Sequence, residues 1–413
     1  MDDSNYRIGI DVGGTFTDIV AVSDKGTVIF SKAPSTPADP SIGVMDAIAR
    51  LSHELRTESA VLLSKTERIV HGTTVATNAL LERKGAKTGL LTTIGHRDVL
   101  EMREGLKDDR YNMRLAAPET LVPRYLRLGV KERIRPDGSI HLPLDNDSLD
   151  AAIEKLKEAD VTSIAVCYLH AYKESKHEKE TRARIESKLP GVSVSLSSEV
   201  FPEIKEYERV STTVVNAYVR PVVEKYLRKL GDRLRETGYQ GPVLIILSHG
   251  GVAPIDEAVR LAAGTVLSGP AGGVAGSRYG SSLIGAENLV PFDMGGTSTD
   301  ISMIVNGEPA LSSTRGIAGQ RVALQSLDIV SIASGGGSIA RVDNGGILRV
   351  GPESAGAVPG PACYGKGGVE VAVTDASVVL GFLDPNNFLG GRESLDKEAA
   401  EVAVDKLASK LSV

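Results

Sequence analysis

Apolar and polar positions alternate in short blocks along this chain, and the first block sets the pattern. Residues 7–10 (Arg-Ile-Gly-Ile) and 19–22 (Ile-Val-Ala-Val) flank a glycine pair, with a second turn signal at Asp24-Lys25-Gly26. Short apolar runs bounded by Gly predict strands, so the opening reads as a β-meander. The same arrangement returns at 289–305, where Leu289-Val290-Pro291-Phe292 leads in, 301–305 leads out, and Asn306-Gly307-Glu308 turns. Between these blocks the spacing changes to that of helices. One helix is expected from about Ser41, with Val44, Ile48 and Leu51 inward, another over 147–159, and a charged one over 175–188. The strand 163–169, that charged helix and a strand at 192–196 form a βαβ crossover. A long helix at 211–236 carries apolar residues at intervals of four and should kink at Pro221. Further strands are expected at 68–70, 88–93, 243–247 and 329–333. Hairpin turns are expected at Asp137-Gly138-Ser139 and Asn344-Gly345. Residues 101–135 read as a long loop with a helical piece. The chain closes on an amphipathic helix with Val402, Leu407 and Leu411 inward. The pattern changes near residue 200, which suggests two lobes, 1–200 and 201–413.

What the two meanders share is a phrase. Asp11-Val12-Gly13-Gly14-Thr15-Phe16-Thr17-Asp18 and Asp293-Met294-Gly295-Gly296-Thr297-Ser298-Thr299-Asp300 agree at six of eight positions. Paired glycines leave no Cβ in the way, so backbone N–H groups in such a turn can converge on an anion. Thr15, Thr17, Thr297, Ser298 and Thr299 add hydroxyls beside them. A carboxylate next to a phosphate is tolerable only with a cation between them. Asp11 and Asp293 are therefore candidates to place Mg²⁺, held largely through its waters, while Asp18 and Asp300 would orient an acceptor or fix the turns. Structural glycine turns capped by Asp and Thr are the plain alternative; two copies in matched surroundings favour the ligand.

Two more stretches carry candidate chemistry. His71-Gly72-Thr73-Thr74, followed by a helix that Gly85 should close, places hydroxyls at a helix start, where anions are favoured and capping is also satisfied. His71, Thr73, Thr74 and Asn78 are its candidates. Gly335, Gly336 and Gly337 end a strand where backbone must approach something closely, and are candidates for cofactor binding. Glu199, Glu203, Glu206 and Glu208 read better as a solvated helix entry than as acid–base groups.

The twin phrases resemble the phosphate loops of the actin, sugar-kinase and heat-shock-chaperone ATPase superfamily. More narrowly, the whole chain resembles the A-type subunit of the hydantoinase/5-oxoprolinase family, in the phrases, in 71–85 and in the Pro/Gly-rich loop 351–368. His96 and His249 depart from that family's usual Phe and Asn. The resemblance implies an α/β fold of two lobes, each a ribonuclease-H-like mixed sheet flanked by helices, with a cleft between them. It also implies ATP and Mg²⁺ as cofactors, a B-type hydantoinase subunit as partner, and phosphorylation of a cyclic amide or imide at its carbonyl oxygen ahead of ring opening. Ketone carboxylases of the acetone and acetophenone type share the same motifs, and a conformational actin-like ATPase or a simple kinase are further readings. The family's later Gly-Gly-x-Gly-Pro turn, which holds the adenosine, has no counterpart after residue 391, so a truncated subunit is expected.

Composition narrows the field from the other side. A net charge of −6 without a basic tract speaks against nucleic acid or an anionic membrane as partner. Cys167 and Cys363 lie too far apart in sequence to suggest a disulfide framework or a thiolate metal site. No apolar run nears the ~20 residues of a membrane span. The acidic N-terminus runs straight into the first strand without a signal peptide, and a cytoplasmic setting is the default.

Overall fold

In the computed structural model the described residues are 4–14, 16–36, 38–105, 111–116, 119–356, 358–388, 391 and 393–411. The first meander forms as expected: β1 (Tyr6–Val12), β2 (Phe16–Ser23) and β3 (Val28–Pro34) pair antiparallel. Along β1 every second residue is buried, so Ile8, Ile10 and Val12 face the core while Arg7 and Asp11 face outward. β4 (Thr66–Thr73) lies parallel to β1 on its other side. Next to β4 comes a strand from far along the chain, β9 (Val243–Ile246), parallel to it and followed by the antiparallel β10 (Val252–Pro254). An antiparallel meander extended by parallel strands is the ribonuclease-H-like arrangement expected.

A second sheet is wholly parallel, in the order β8-β7-β5-β6, from β5 (Thr88–Thr93), β6 (Arg127–Val130), β7 (Ser163–Cys167) and β8 (Ser193–Leu196). β6 falls inside the stretch expected to be a loop. Its first residue, Arg127, is fully buried, with its guanidinium bonded to Val122 O, Thr120 Oγ1 and Glu101 Oε1. A buried arginine erases the apolar signature by which a strand is recognised.

Helix α1 (Pro40–Glu54) covers the first sheet with Val44, Ala47, Ile48 and Leu51. The short α2 (Val75–Leu81) ends before Gly85, which does not cap it. Gly85 instead presses its bare Cα on the Tyr218 ring, where a Cβ would come within 2.1 Å. The expected helices over 147–159 and 175–188 appear as α3 (Asn146–Glu158) and α4 (Lys176–Lys188). α5 (Glu206–Glu236) is 31 residues long and contains Pro221. Its Val210, Val214 and Ala217 join the core of the parallel sheet, and Val223, Tyr226, Leu227 and Leu230 join that of the first. The glutamates expected to form a solvated entry are not all solvated: Glu199, ahead of α5, pairs with Arg182, and Glu208, in its first turn, is buried.

By its contacts the chain divides into two compact units. One comprises Met1–Gly272 with Leu311–Ser326, the other Gly273–Ala310 with Leu327–Val413. The expected boundary near 200 falls just ahead of α5, inside the first unit. Residues 311–326 return to that unit and dock on α5, where Ser211 Oγ donates to Arg321 O at 2.7 Å and Ala323 N donates to Thr212 Oγ1 at 2.9 Å. Helix α6 (Ser268–Ile284) starts in the first unit and continues into the second.

The second unit holds the second meander, β11 (Phe292–Met294), β12 (Thr299–Ser302) and β13 (Ile329–Ile332), all antiparallel. A hairpin of β14 (Ser338–Val342) and β15 (Leu348–Ser354) follows, turning where expected. α7 (Val373–Val379) and α8 (Lys397–Leu411) complete it. α8 turns Ala400, Ala403, Val404 and Leu407 inward, whereas Val402, expected there, is exposed. Among the described residues no helix is long and apolar enough to cross a membrane.

Candidate functional site

Two hairpins distant in sequence are built alike. In the first, Gly13 N donates to Phe16 O at 2.9 Å; in the second, Gly295 N donates to Ser298 O at 2.9 Å. The aspartates that open and close each phrase face one another across the ladder, Asp11 opposite Asp18 and Asp293 opposite Asp300. In both, the second threonine is buried and turned behind the turn, so Thr17 and Thr299 do not offer hydroxyls to a ligand. Thr17 Oγ1 lies 3.1 Å from Ser35 Oγ, which donates to Gly13 O at 2.8 Å, and Thr299 Oγ1 donates to Ser334 O. The periodicity of a strand dictates this, because residues 17 and 299 fall on the face opposite Asp18 and Asp300. Gly295, Gly296 and Thr297 are exposed and Ser298 half-buried, while Gly13 is half-buried and Gly14 exposed. Thr15 lies outside the described residues.

Asp11 is exposed, and its carboxylate lies over bare backbone: a Cβ on Gly72 or Gly269 would come within 3.0 or 3.2 Å of its Oδ1. Asp18 pairs with Lys32 at 3.0 Å, and Asp300 accepts from Ser331 Oγ. These contacts suit residues that fix the two turns. Among the described residues no group of three His, Cys, Asp or Glu is placed to hold a metal ion. A Mg²⁺ beside phosphates keeps most of its waters and needs only one or two carboxylates from the protein.

The Gly335-Gly336-Gly337 loop sits against the back of the second turn. Its three N–H groups are all engaged, by Ser338 Oγ at 2.9 Å, Gly295 O at 2.9 Å and Gly296 O at 2.7 Å. It buttresses the turn and has no free amide for a cofactor. Behind it Thr374 donates to Gly336 O from both its amide and its hydroxyl, each at 2.8 Å. The buried carboxylate of Asp375 accepts from the amides of Ala362, Cys363 and Ala372, which pins the Pro/Gly-rich loop to α7. Sequence alone pointed to none of Ser35, Thr374 and Asp375, each of which has a partner 12 to 38 residues away.

Of the four candidates around residue 75, two reach a cavity and two are structural. A cavity of about 470 Å³ is lined by Gly13, Gly14, Thr74, Asn78, Lys225 and Tyr226 among others. Thr74 Oγ1 donates to Val12 O at 3.1 Å and accepts from Asn78 Nδ2 at 3.2 Å, so both are tied to the end of β1. Thr73 is buried and clasps Ser268 at the start of α6, its amide donating to Ser268 Oγ at 3.0 Å and its carbonyl accepting from it at 2.8 Å. His71 is wholly buried, with Nε2 2.7 Å from the Tyr226 hydroxyl and Nδ1 3.4 Å from Ile10 O. Burial pushes its pKa down to about 4, with the Ile10 carbonyl opposing. A neutral, enclosed imidazole of this kind locks α5 to the sheet and meets no substrate.

That depression has a consequence for stability. Between pH 6.5 and 4 the unfolded chain binds a proton that the folded chain refuses, so the slope of stability against pH is positive there. Unfolding free energy should fall by on the order of 3 kcal/mol as pH drops through this window. Denaturant midpoints measured at half-unit pH steps would show it, and this part of the slope should be missing from His71→Gln.

His96 and His249 sit in exposed turns, where His96 Nε2 accepts from Arg133 and His249 Nδ1 accepts from Gly251 N. Both thiols are buried, and burial raises their pKa far above the range of a reactive cysteine; beside Cys363, Asp375 adds to the rise.

The chain as a whole is similar to known proteins. The profile described as Hydantoinase/oxoprolinase N-terminal region matches residues 7–189, and that described as Hydantoinase/oxoprolinase matches 209–413. The chain is 40% identical to the caprolactamase subunit alpha of Pseudomonas jessenii, over 100% of this chain and 59% of that protein. It is 38% identical to the acetophenone carboxylase gamma subunit of Aromatoleum aromaticum, over 100% of this chain and 58% of that one. The solved ATP-dependent caprolactamase of Pseudomonas jessenii superposes with a TM-score of 0.84 at 39% identity, covering 99% of this chain and 60% of its own. The chain thus spans about three-fifths of the length of these relatives. With both profiles together accounting for nearly all of its residues, the chain belongs to the hydantoinase/oxoprolinase family.

Proposed function

We propose that this chain is the ATP-using subunit of a cytoplasmic enzyme that opens cyclic amides or imides, acting with a B-type hydantoinase subunit. The observation that carries the reading is the matched pair of hairpins, each with an outward aspartate, an identical turn hydrogen bond and a glycine pair at its tip. A bound ATP with Mg²⁺ would supply the phosphoryl group that turns an amide's carbonyl oxygen into a leaving group. The chain's own residues position and neutralise. In each hairpin a glycine pair, Gly13–Gly14 or Gly295–Gly296, would offer backbone to phosphate oxygens; in the second, Thr297 and Ser298 would add hydroxyls, and Asp11 or Asp293 would be the carboxylate for a hydrated cation. Asp18 and Asp300 keep the turns in place through Lys32 and Ser331. Thr74 and Asn78, which share a cavity with Gly13 and Gly14, are the positions nearest to an acceptor on this side.

A ketone as acceptor is the second reading, favoured by the likeness to an acetophenone carboxylase subunit. ATP hydrolysis by the chain with its co-purifying partner, measured with lactams, hydantoins and ketones, with and without bicarbonate, separates the two. Stimulation by a lactam or hydantoin with release of free phosphate is the expected result. Stimulation by ketones that requires bicarbonate would transfer the chain to the carboxylases, and a stable phosphorylated product would make it a kinase.

A further inference from the structure

Three pieces of backbone, all in the first unit, meet at the carboxylate of Asp11. β1 carries the residue, Gly72 stands opposite it in the parallel ladder with β4, and Gly269 lies in the first turn of α6. A Cβ on Gly72 would come 3.0 Å from Asp11 Oδ1, and a Cβ on Gly269 would come 3.2 Å from that same atom. Beyond it, Gly72 would make only ordinary contacts, with Gly269 Cα at 3.5 Å and Ile246 Cδ1 at 3.7 Å. The three atoms nearest to a Cβ on Gly269 all belong to the Asp11 side chain.

Glycine is an unfavourable choice at both places. Inside a strand it packs nothing against its neighbours, and in a helix alanine is the better former. Neither residue has the positive φ that would demand glycine. What the two share is the carboxylate they make room for. The start of α6 is also held firmly at this spot. Leu267 enters the helix with a φ of 63°, and its amide donates to Thr77 Oγ1 at 2.9 Å, while Ser268 Oγ both accepts from the Thr73 amide and donates to the Thr73 carbonyl. The first amides of a helix attract a carboxylate. Asp11 therefore lies against a helix start and two bare Cα atoms, surroundings made of backbone that cannot swing aside.

We infer that Gly72 and Gly269 are positioning residues for Asp11, kept bare so that its carboxylate stays where it can take the waters of a divalent cation. The inference rests on the reading of Asp11 proposed above. A methyl group at either place would push the carboxylate by a few tenths of an ångström, because strand and helix backbone cannot yield. Sites of this kind need their geometry within about 0.5 Å, so the shift weakens the cation's hold without unfolding the chain.

The test measures binding of a fluorescent, non-hydrolysable ATP analogue to the whole chain against Mg²⁺ concentration, alongside thermal melts, for Gly72→Ala, Gly269→Ala and Asp11→Asn. Gly280→Ala is the control in the same helix, where nothing lies within 4 Å of a Cβ. Gly72→Ala and Gly269→Ala should each raise the half-saturating Mg²⁺ concentration by about three- to tenfold and leave analogue binding in EDTA unchanged. Gly269→Ala should melt no lower than the unaltered chain, since alanine favours the helix. Gly280→Ala should share that stability and leave the Mg²⁺ dependence alone. In the Asp11→Asn background the two glycine changes should add nothing, because they act through the carboxylate. An unchanged Mg²⁺ dependence in the folded glycine variants while Asp11→Asn alters it would overturn the inference alone. An equal shift in Gly280→Ala, or unfolding of both Gly72→Ala and Gly269→Ala, would do the same. Binding that ignores Mg²⁺ in the unaltered chain, or is untouched by Asp11→Asn, would instead remove the reading of Asp11 and the inference with it.

Discussion

Asp11→Asn is expected to lower substrate-stimulated ATP hydrolysis by about 10²- to 10³-fold, the usual size of losing one charge-stabilising group in a phosphoryl-transfer site. The exchange is nearly isosteric, and the side chain lies on the outward face of β1 over Gly72, so the melting temperature should stay almost unchanged. What disappears is the negative charge that would hold the waters of Mg²⁺. Asp293→Asn, the matching change in the second hairpin, should act alike. Asp18→Asn is the internal control. Its pair with Lys32 is exposed, and exposed pairs contribute little, so its effect should stay below about tenfold. Full ATPase activity in a folded Asp11→Asn protein would sink the nucleotide assignment.

Gly335→Ala is the second large effect, and it acts from behind the site. Its Cβ would lie 2.7 Å from Gly295 O, Thr297 N and Ser298 N, all backbone atoms of the second turn, which can yield only by moving the turn itself. A cost of about 1–3 kcal/mol in stability is expected from such overpacking, together with a rise of about tenfold in the KM for ATP. Gly296→Ala supplies the contrast. Nothing lies within 4 Å of its Cβ, so a thermal melt should be unchanged while ATP affinity falls through the methyl group in the ligand's space. Equal melts and equal KM values for the two variants would mean that the turn is not the phosphate grip.

The hairpins were legible because their signal is local: glycine pairs, period-two burial and a repeated eight-residue phrase stand within one stretch of sequence. Local spacing likewise gives most helices of the first unit and the βαβ crossover. It does not give the role of a side chain whose partner is distant. His71 and Thr73 sit in a signature-rich stretch and read as site residues, yet Tyr226 and Ser268, which consume their polar atoms, lie 155 and 195 residues on. Gly335–Gly337 read as a cofactor loop for the same reason, since Gly295 and Gly296, which accept from Gly336 and Gly337, stand far back in the sequence. β6 was hidden by a buried arginine, and the division of the chain by residues 311–326, which leave the second unit's sequence to dock on the first.

The helix Glu206–Glu236 bears on how this polypeptide could be taken apart. The two family profiles meet in the gap between residues 189 and 209, which invites cutting there to express the halves. The upstream fragment would lose the helix that closes both of its apolar layers, and with it Val243–Ile246, the strand that shields the open side of Thr66–Thr73. Such a fragment presents an unpaired strand edge and bare aliphatic surface, the combination that drives self-association. Mixing the two pieces after separate purification should therefore yield precipitate, whereas producing them together in one cell gives the upstream piece its missing helix as it emerges.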